Sequence, residues 1–187
     1  PMIAVVGQSG AGKTTVMVGL VPLLAARGLR VVTLKHDAHG VEPDREGKDT
    51  WRHARAGARV VLLAGPGCVI ARRPSGQDAS PEELAVFFDA DVDLVLVEGY
   101  SLSRLPKLEV YAPSSPGPSR LASSAGLVAT VRAPLPRDGV PNFDGEELPA
   151  LASLLESWYL EWREGELVSD SAATEQTRVK IVIDGHE

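Results

Sequence analysis

Between Gly7 and Thr15 the chain reads Gly-Gln-Ser-Gly-Ala-Gly-Lys-Thr-Thr, and its first eight residues have the spacing G-x-x-x-x-G-K-[ST]. Glycines let a loop wrap closely and aim successive backbone N–H groups inward, and a helix starting near Lys13 adds its positive end. Such a cradle takes polyphosphate. Gly7, Gln8, Ser9, Gly10, Ala11 and Gly12 form its wall. Lys13 is placed to reach the β and γ phosphates as a point charge, Thr14 to offer its hydroxyl to a bridging Mg²⁺, and Thr15 to reach the α phosphate.

Two acids flank an apolar run at Asp93-Leu-Val-Leu-Val-Glu98, about 16 Å apart if the run is a strand. Only one can approach the metal. Ligands gather at the carboxyl ends of strands in open α/β sheets, which selects Glu98 and leaves Asp93 as a surface charge. The same rule places Lys35 and His36, after a second apolar run, at the mouth of the site, with Asp37 and His39 close behind. Asp49 follows Gly47-Lys48 at a helix start, where it either caps the helix or holds a water on Mg²⁺. His53 reads as a helix-surface residue.

These groups need strands to carry them to one rim. Short β-branched runs recur at Ile3 to Val6, Arg30 to Leu34, Arg59 to Ala64, Cys68 to Ala71, Leu94 to Val97, Leu108 to Tyr111 and Leu127 to Val131. Helical patterns lie between them at Lys13 to Ala26, Lys48 to Ala56, Pro81 to Asp89 and Glu146 to Glu161, with Ser80 as an N-cap and Pro22 as a kink. Alternation of this kind predicts βαβ units. Several runs are apolar throughout, so the expectation is an α/β fold in three layers, a P-loop NTPase with a mostly parallel twisted sheet. Residues 1–164 form the nucleotide-binding domain, and 165–187 a polar tether with a last strand at Val179 to Ile183.

Bulk properties narrow the class. The chain has 187 residues and a net charge of -6, with Lys and Arg scattered, so nucleic acid is not an expected partner. Arg27 to Arg30 and Arg72-Arg73 read as solvated surface. A lone cysteine, Cys68, supports no disulfide framework or thiolate cage within one chain and fits a reducing, cytoplasmic setting. Met2 to Val6 lacks the flanks of a signal peptide and reads as a strand. The longest apolar run, Val16 to Ala26, falls short of the ~20 residues that span a bilayer, so no membrane span is expected.

Taken together, the P-loop, Lys35-His36-x-x-His39, Gly47-Lys48-Asp49-Thr50, Ala56-Gly57-Ala58, and Val97-Glu98-Gly99-Tyr100 followed by Pro106-Lys107-Leu108-Glu109-Val110 closely resemble the MobB family, molybdopterin-guanine dinucleotide biosynthesis protein B. The likeness runs from about Met2 to Leu155. It implies a GTP-binding adapter or GTP carrier of molybdenum cofactor synthesis, with Mg²⁺ dependence and weak hydrolysis. It also implies a homodimer working beside a MobA-like guanylyltransferase, and it admits molybdopterin itself as a ligand. Guanine rests on the resemblance, since Thr130-Val-Arg-Ala133 lacks the Asn-Lys-x-Asp pattern of many GTPases. Ser101 stands where the family often carries lysine, a charge that Lys107 either replaces or does not.

Other functions fit the same residues. A small-molecule kinase would use Lys13 and a lid at Ser114 to Arg120, and would release its phosphoryl group to a specific acceptor. A GTP-dependent metal chaperone would bind a transition metal through His36, His39 and Cys68 of two subunits. A partner module would use the P-loop for stability alone, so that nucleotide raises its melting temperature and changes no binding.

Overall fold

A computed structural model describes residues 1–37, 45–73, 79–88, 91–114, 119, 121, 126–135 and 137–169 of the chain. The chain forms two compact units, one of residues 1–36 with 84 onward and one of residues 37–83. The His39 position and the expected strand at Val179 to Ile183 lie outside the described residues.

The larger unit is built on a wholly parallel sheet. Its strands are β1 (Met2–Val6), β2 (Val31–Lys35), β5 (Leu94–Glu98), β6 (Lys107–Val110), β7 (Leu127–Val131) and β8 (Asn142–Phe143), in the order β2-β5-β1-β6-β7-β8. β1 and β5 are buried almost end to end, from Ile3 to Val6 and from Leu94 to Val97. Apolar residues on both sides of a strand bury both faces, as parallel sheets require. β1 has no sequence neighbour beside it, because β5 and β6 flank it. The crossover after β1 leads to one side of it and that after β5 to the other, so the crevice at its carboxyl end is the switch point where α/β proteins bind ligands.

Two helices share one face of this sheet. α1 (Lys13–Ala25) and α4 (Leu148–Ser169) bring Val16, Met17, Leu20 and Leu24, and Leu151, Ala152 and Leu155, against Ile3, Val5, Leu96, Leu108 and Val131. The buried positions of α1 recur at helical spacing and give it a single apolar stripe. The helix continues through Pro22, which is exposed. The amide that proline lacks would have served Val18, itself 69% exposed, where water can take the carbonyl. Ser80 caps the short α3 (Pro81–Leu84) as expected: its Oγ accepts from Glu83 N at 3.2 Å and Glu83 Oε2 accepts from Ser80 N at 2.8 Å.

Four expectations change. β3 (Val61–Gly65) and β4 (Cys68–Arg72) do not join the parallel sheet but form an antiparallel hairpin in the smaller unit, with α2 (Asp49–Arg55) packed on β3. Pro66-Gly67 makes the turn, and Gly67 takes φ 74° there. Second, Asp93 is no loose surface charge. It accepts from Arg30 N, Nε and Nη2 at 2.8, 3.0 and 3.2 Å and from the Tyr159 hydroxyl at 2.9 Å, which joins the starts of β2 and β5 to α4. The Arg30 side-chain hydrogen bonds hold its carboxyl at about 2, below the ordinary carboxylate range. Third, Arg27 is part of the same packing, its Nε 3.2 Å from Glu156 on α4. Fourth, β8 at Asn142–Phe143 escaped sequence reading because two residues carry no periodicity.

Candidate functional site

The loop after β1 and the first turn of α1 follow the sequence pattern closely. Gly7 takes φ 148°, and a Cβ there would lie 2.2 Å from the Val110 carbonyl oxygen, so only glycine lets the loop leave β1 past β6. Ser9 and Gly10 form its exposed tip, and Ala11 is buried beneath. Gly12 is the N-cap of α1 at φ 86°, with no side chain covering the first amides of the helix. Those amides have no partner within the helix and present their N–H groups, with the positive end of the dipole, at the loop. Lys13 Nζ donates to Gly7 O at 3.1 Å and Gln8 O at 2.9 Å, which holds the ammonium against the loop.

Glu98 ends β5, the strand beside β1, and its carboxylate meets the first turn of α1. Thr14 Oγ1 lies 3.0 Å from Oε1 and 2.9 Å from Oε2 of Glu98. Lys35, the last residue of β2, puts Nζ 3.5 Å from Glu98 Oε1. Glu98 is 13% exposed and Lys35 64%, so the acid sits inside and the cation at the rim. His36 follows, its N–H bonded to Glu98 O at 3.0 Å and its ring 4.3 Å from that of Tyr100. Tyr100 has φ 50°, an uncommon conformation for a residue with a Cβ. An open groove of about 480 Å³ runs from Thr14, Lys35 and Glu98 along Met17, Val21 and Thr33.

The structure therefore brings Lys13, Thr14, Glu98, Lys35 and His36 to one rim, from the ends of three adjacent strands. Thr15 is exposed beside them on α1. Asp49 belongs to the smaller unit, as the first residue of α2. Lys48 is that helix's N-cap, and the Asp49 carboxylate lies 3.9 Å from Arg52 Nη1. Lys107 does not replace the charge missing at Ser101. It is buried at the opposite end of β6, donating to Ser103 O at 2.7 Å and Leu105 O at 2.9 Å. In the segment read as a lid, Ser119 is anchored, its Oγ donating to buried Glu109 at 2.9 Å, with Tyr111 and Arg137 on the same carboxylate. Burial raises the Tyr111 phenol above its ordinary value. Among the described residues no three His, Cys, Asp or Glu side chains cluster as a metal cage.

One residue of the site went unchosen in the sequence. Arg132, just past the carboxyl end of β7, donates from Nη2 to Ala11 O and from Nε to Tyr111 O, both at 2.9 Å. The rule that selected Glu98 and Lys35, position at a strand's carboxyl end, also points to it.

A parallel sheet with this strand order, a glycine loop at its switch point and a threonine–glutamate pair across the loop define a protein of the P-loop fold. The model of the family MobB, molybdopterin guanine dinucleotide synthesis protein B, matches residues 2–133, and the chain belongs to that family. It is 34% identical over 159 residues to the molybdopterin-guanine dinucleotide biosynthesis adapter protein of Haemophilus influenzae, covering 84% of this chain and 89% of that one. To the protein of the same description from Escherichia coli it is 29% identical over 163 residues, covering 84% and 93%. A crystal structure of molybdopterin-guanine biosynthesis protein B aligns with a TM-score of 0.64 and 26% identity, over 85% of this chain and 99% of that one.

Proposed function

We propose that this chain is an adapter of molybdopterin-guanine dinucleotide biosynthesis that binds GTP with Mg²⁺ at Gly7 to Thr15 and hydrolyses it slowly. The observation that carries the nucleotide reading is the meeting of Thr14 and Glu98, 84 residues apart in the chain, at the mouth of the loop. Because the Thr14 hydrogen points to Glu98, the lone pairs of its oxygen stay available to a cation. Hydroxyl and carboxylate oxygens suit Mg²⁺, which binds few protein ligands and keeps its waters. Thr14 and Glu98 would hold it, and the bound ion would offset phosphate charge. Gly7 to Gly12 would enclose the phosphates through backbone N–H groups, and Lys13 would turn from the loop carbonyls to the outer phosphates.

The adapter role is supported by the descriptions of the relatives, and guanine preference and a MobA-like guanylyltransferase as partner are carried over from the family resemblance. A homodimer in the cytoplasm completes the reading. The test is calorimetric titration of GTP and ATP with Mg²⁺ into the wild type and Lys13→Ala. GTP should bind more tightly than ATP, and Lys13→Ala should lose most triphosphate affinity. ATP preference would redirect the reading to a kinase, and no binding of either nucleotide would end it.

A further inference from the structure

Arg132 sits in a slot made by two residues that lack side chains. A Cβ on Gly12 would come within 3.1 Å of its Nη2, and one on Gly145 within 2.6 Å of its Nη1. Its backbone takes φ 58°, which a residue with a Cβ disfavours, and is fastened by its N–H to Phe143 O at 2.8 Å. From there the guanidinium bridges the phosphate loop at Ala11 O and the end of β6 at Tyr111 O.

We propose that Arg132 is a positioning residue of the phosphate site that fixes the Ala11–Gly12 peptide in the orientation polyphosphate needs. This rests on the reading of Gly7 to Thr15 as that site. A trans peptide is planar and its C=O and N–H point in opposite directions. Drawing Ala11 O onto the guanidinium therefore turns the Gly12 N–H the other way. Ala11 N is engaged with Gln8 O at 3.2 Å, and Gly12 O accepts from Val16 N at 2.9 Å, so the peptide is held from both ends. The charge argues in the same direction. A guanidinium at the N-terminal end of α1 opposes the helix dipole, an arrangement that an anion in the loop makes favourable. Arg132 thus orders a donor and adds positive potential without needing to touch the nucleotide base.

Gly145 supplies a variant that leaves the loop sequence intact. Its φ is not in the left-handed region, so alanine fits its backbone, and the new methyl displaces the guanidinium. The experiment is calorimetric titration of Mg²⁺ with GTP, and of sodium tripolyphosphate, into wild type, Arg132→Ala, Arg132→Lys and Gly145→Ala, with the melting temperature of each protein alone. Arg132→Ala should weaken both ligands by the same factor, on the order of 10-fold or more, as expected for losing a charge-assisted hydrogen bond. Arg132→Lys should recover part of the loss, having one ammonium for two carbonyls, and Gly145→Ala should lose affinity in the same proportion for both ligands. Wild-type affinity in folded Arg132→Ala or Gly145→Ala, with only the melting temperature lowered, overturns the proposal. A loss confined to GTP also overturns it, because Arg132 would then read the base. If Arg132→Ala does not fold, Arg132→Lys and Gly145→Ala decide alone. Wild type that binds neither ligand refutes the nucleotide site itself.

Discussion

Glu98 and Asp93 show how one short strand gives two carboxylates separate duties. Glu98 lies at the carboxyl end of β5 with Thr14 and Lys35, and Asp93 precedes the strand at its other end with Arg30 and Tyr159. Glu98→Ala should weaken the Mg²⁺ dependence of GTP binding more than it weakens GDP binding, measured by titration with and without EDTA. Equal metal dependence in wild type and variant would remove Glu98 from the metal site. Asp93→Asn should lower stability, since it weakens the charge-assisted hydrogen bonds from exposed Arg30 and the bond from the Tyr159 hydroxyl. With its folded carboxyl lowered to about 2, the contribution of Asp93 is complete above the unfolded value near ~4 and lost as pH falls through 2. Urea melts of both proteins at several pH values should converge toward pH 2, and a constant gap would contradict the linkage.

Helix α1 carries the start of the site, and its seating on α4 decides how firmly that start is held. Gly19 lies inside α1, where alanine would ordinarily add about 1 kcal/mol of helix propensity. A Cβ at Gly19 would fall 2.4 Å from Leu148 Cδ1, so the two helices approach through that missing side chain. Gly19→Ala should therefore bring no gain in melting temperature in the wild type, because overpacking offsets propensity. In a Leu148→Ala background the same change should be stabilising. Additivity of the two substitutions in a thermal-melt cycle would show that the contact does not restrain the helix.

At the scale of the molecule, phosphate binding at the proposed site would be linked to folding, because the loop exists only where β1, β5, β6 and β7 are assembled. Mg²⁺ with GTP at 100 times its dissociation constant should stabilise the folded protein by about 2.7 kcal/mol. For a chain of this size that corresponds to roughly 5–10 °C in melting temperature. Lys13→Ala should lose the shift at the same ligand concentration. The smaller unit is built on other terms. Its hairpin leaves Leu62, Leu63, Val69 and Ile70 at least half exposed, and its backbone pairing is local.

Much of the site was legible in the sequence because it depends on local chemistry. Gly7 to Thr14 is continuous, its glycines answer a local demand on φ, and strand-end position is enough to select Glu98, Lys35 and His36. The parallel sheet, α1 and the Ser80 cap were legible for the same reason, through periodicity and adjacent residues. Tertiary structure alone decided that β3 and β4 pair with each other, since an apolar run looks the same in a parallel sheet and in a hairpin. It decided that Asp93 is fastened by Arg30 and Tyr159, that Lys107 serves a turn instead of the phosphates, and that Gly19 is a helix contact. It also decided that Arg132 reaches Ala11 across 121 residues. Sequence fixes which groups a segment can offer, and the folding of distant segments against one another fixes which partners those groups meet.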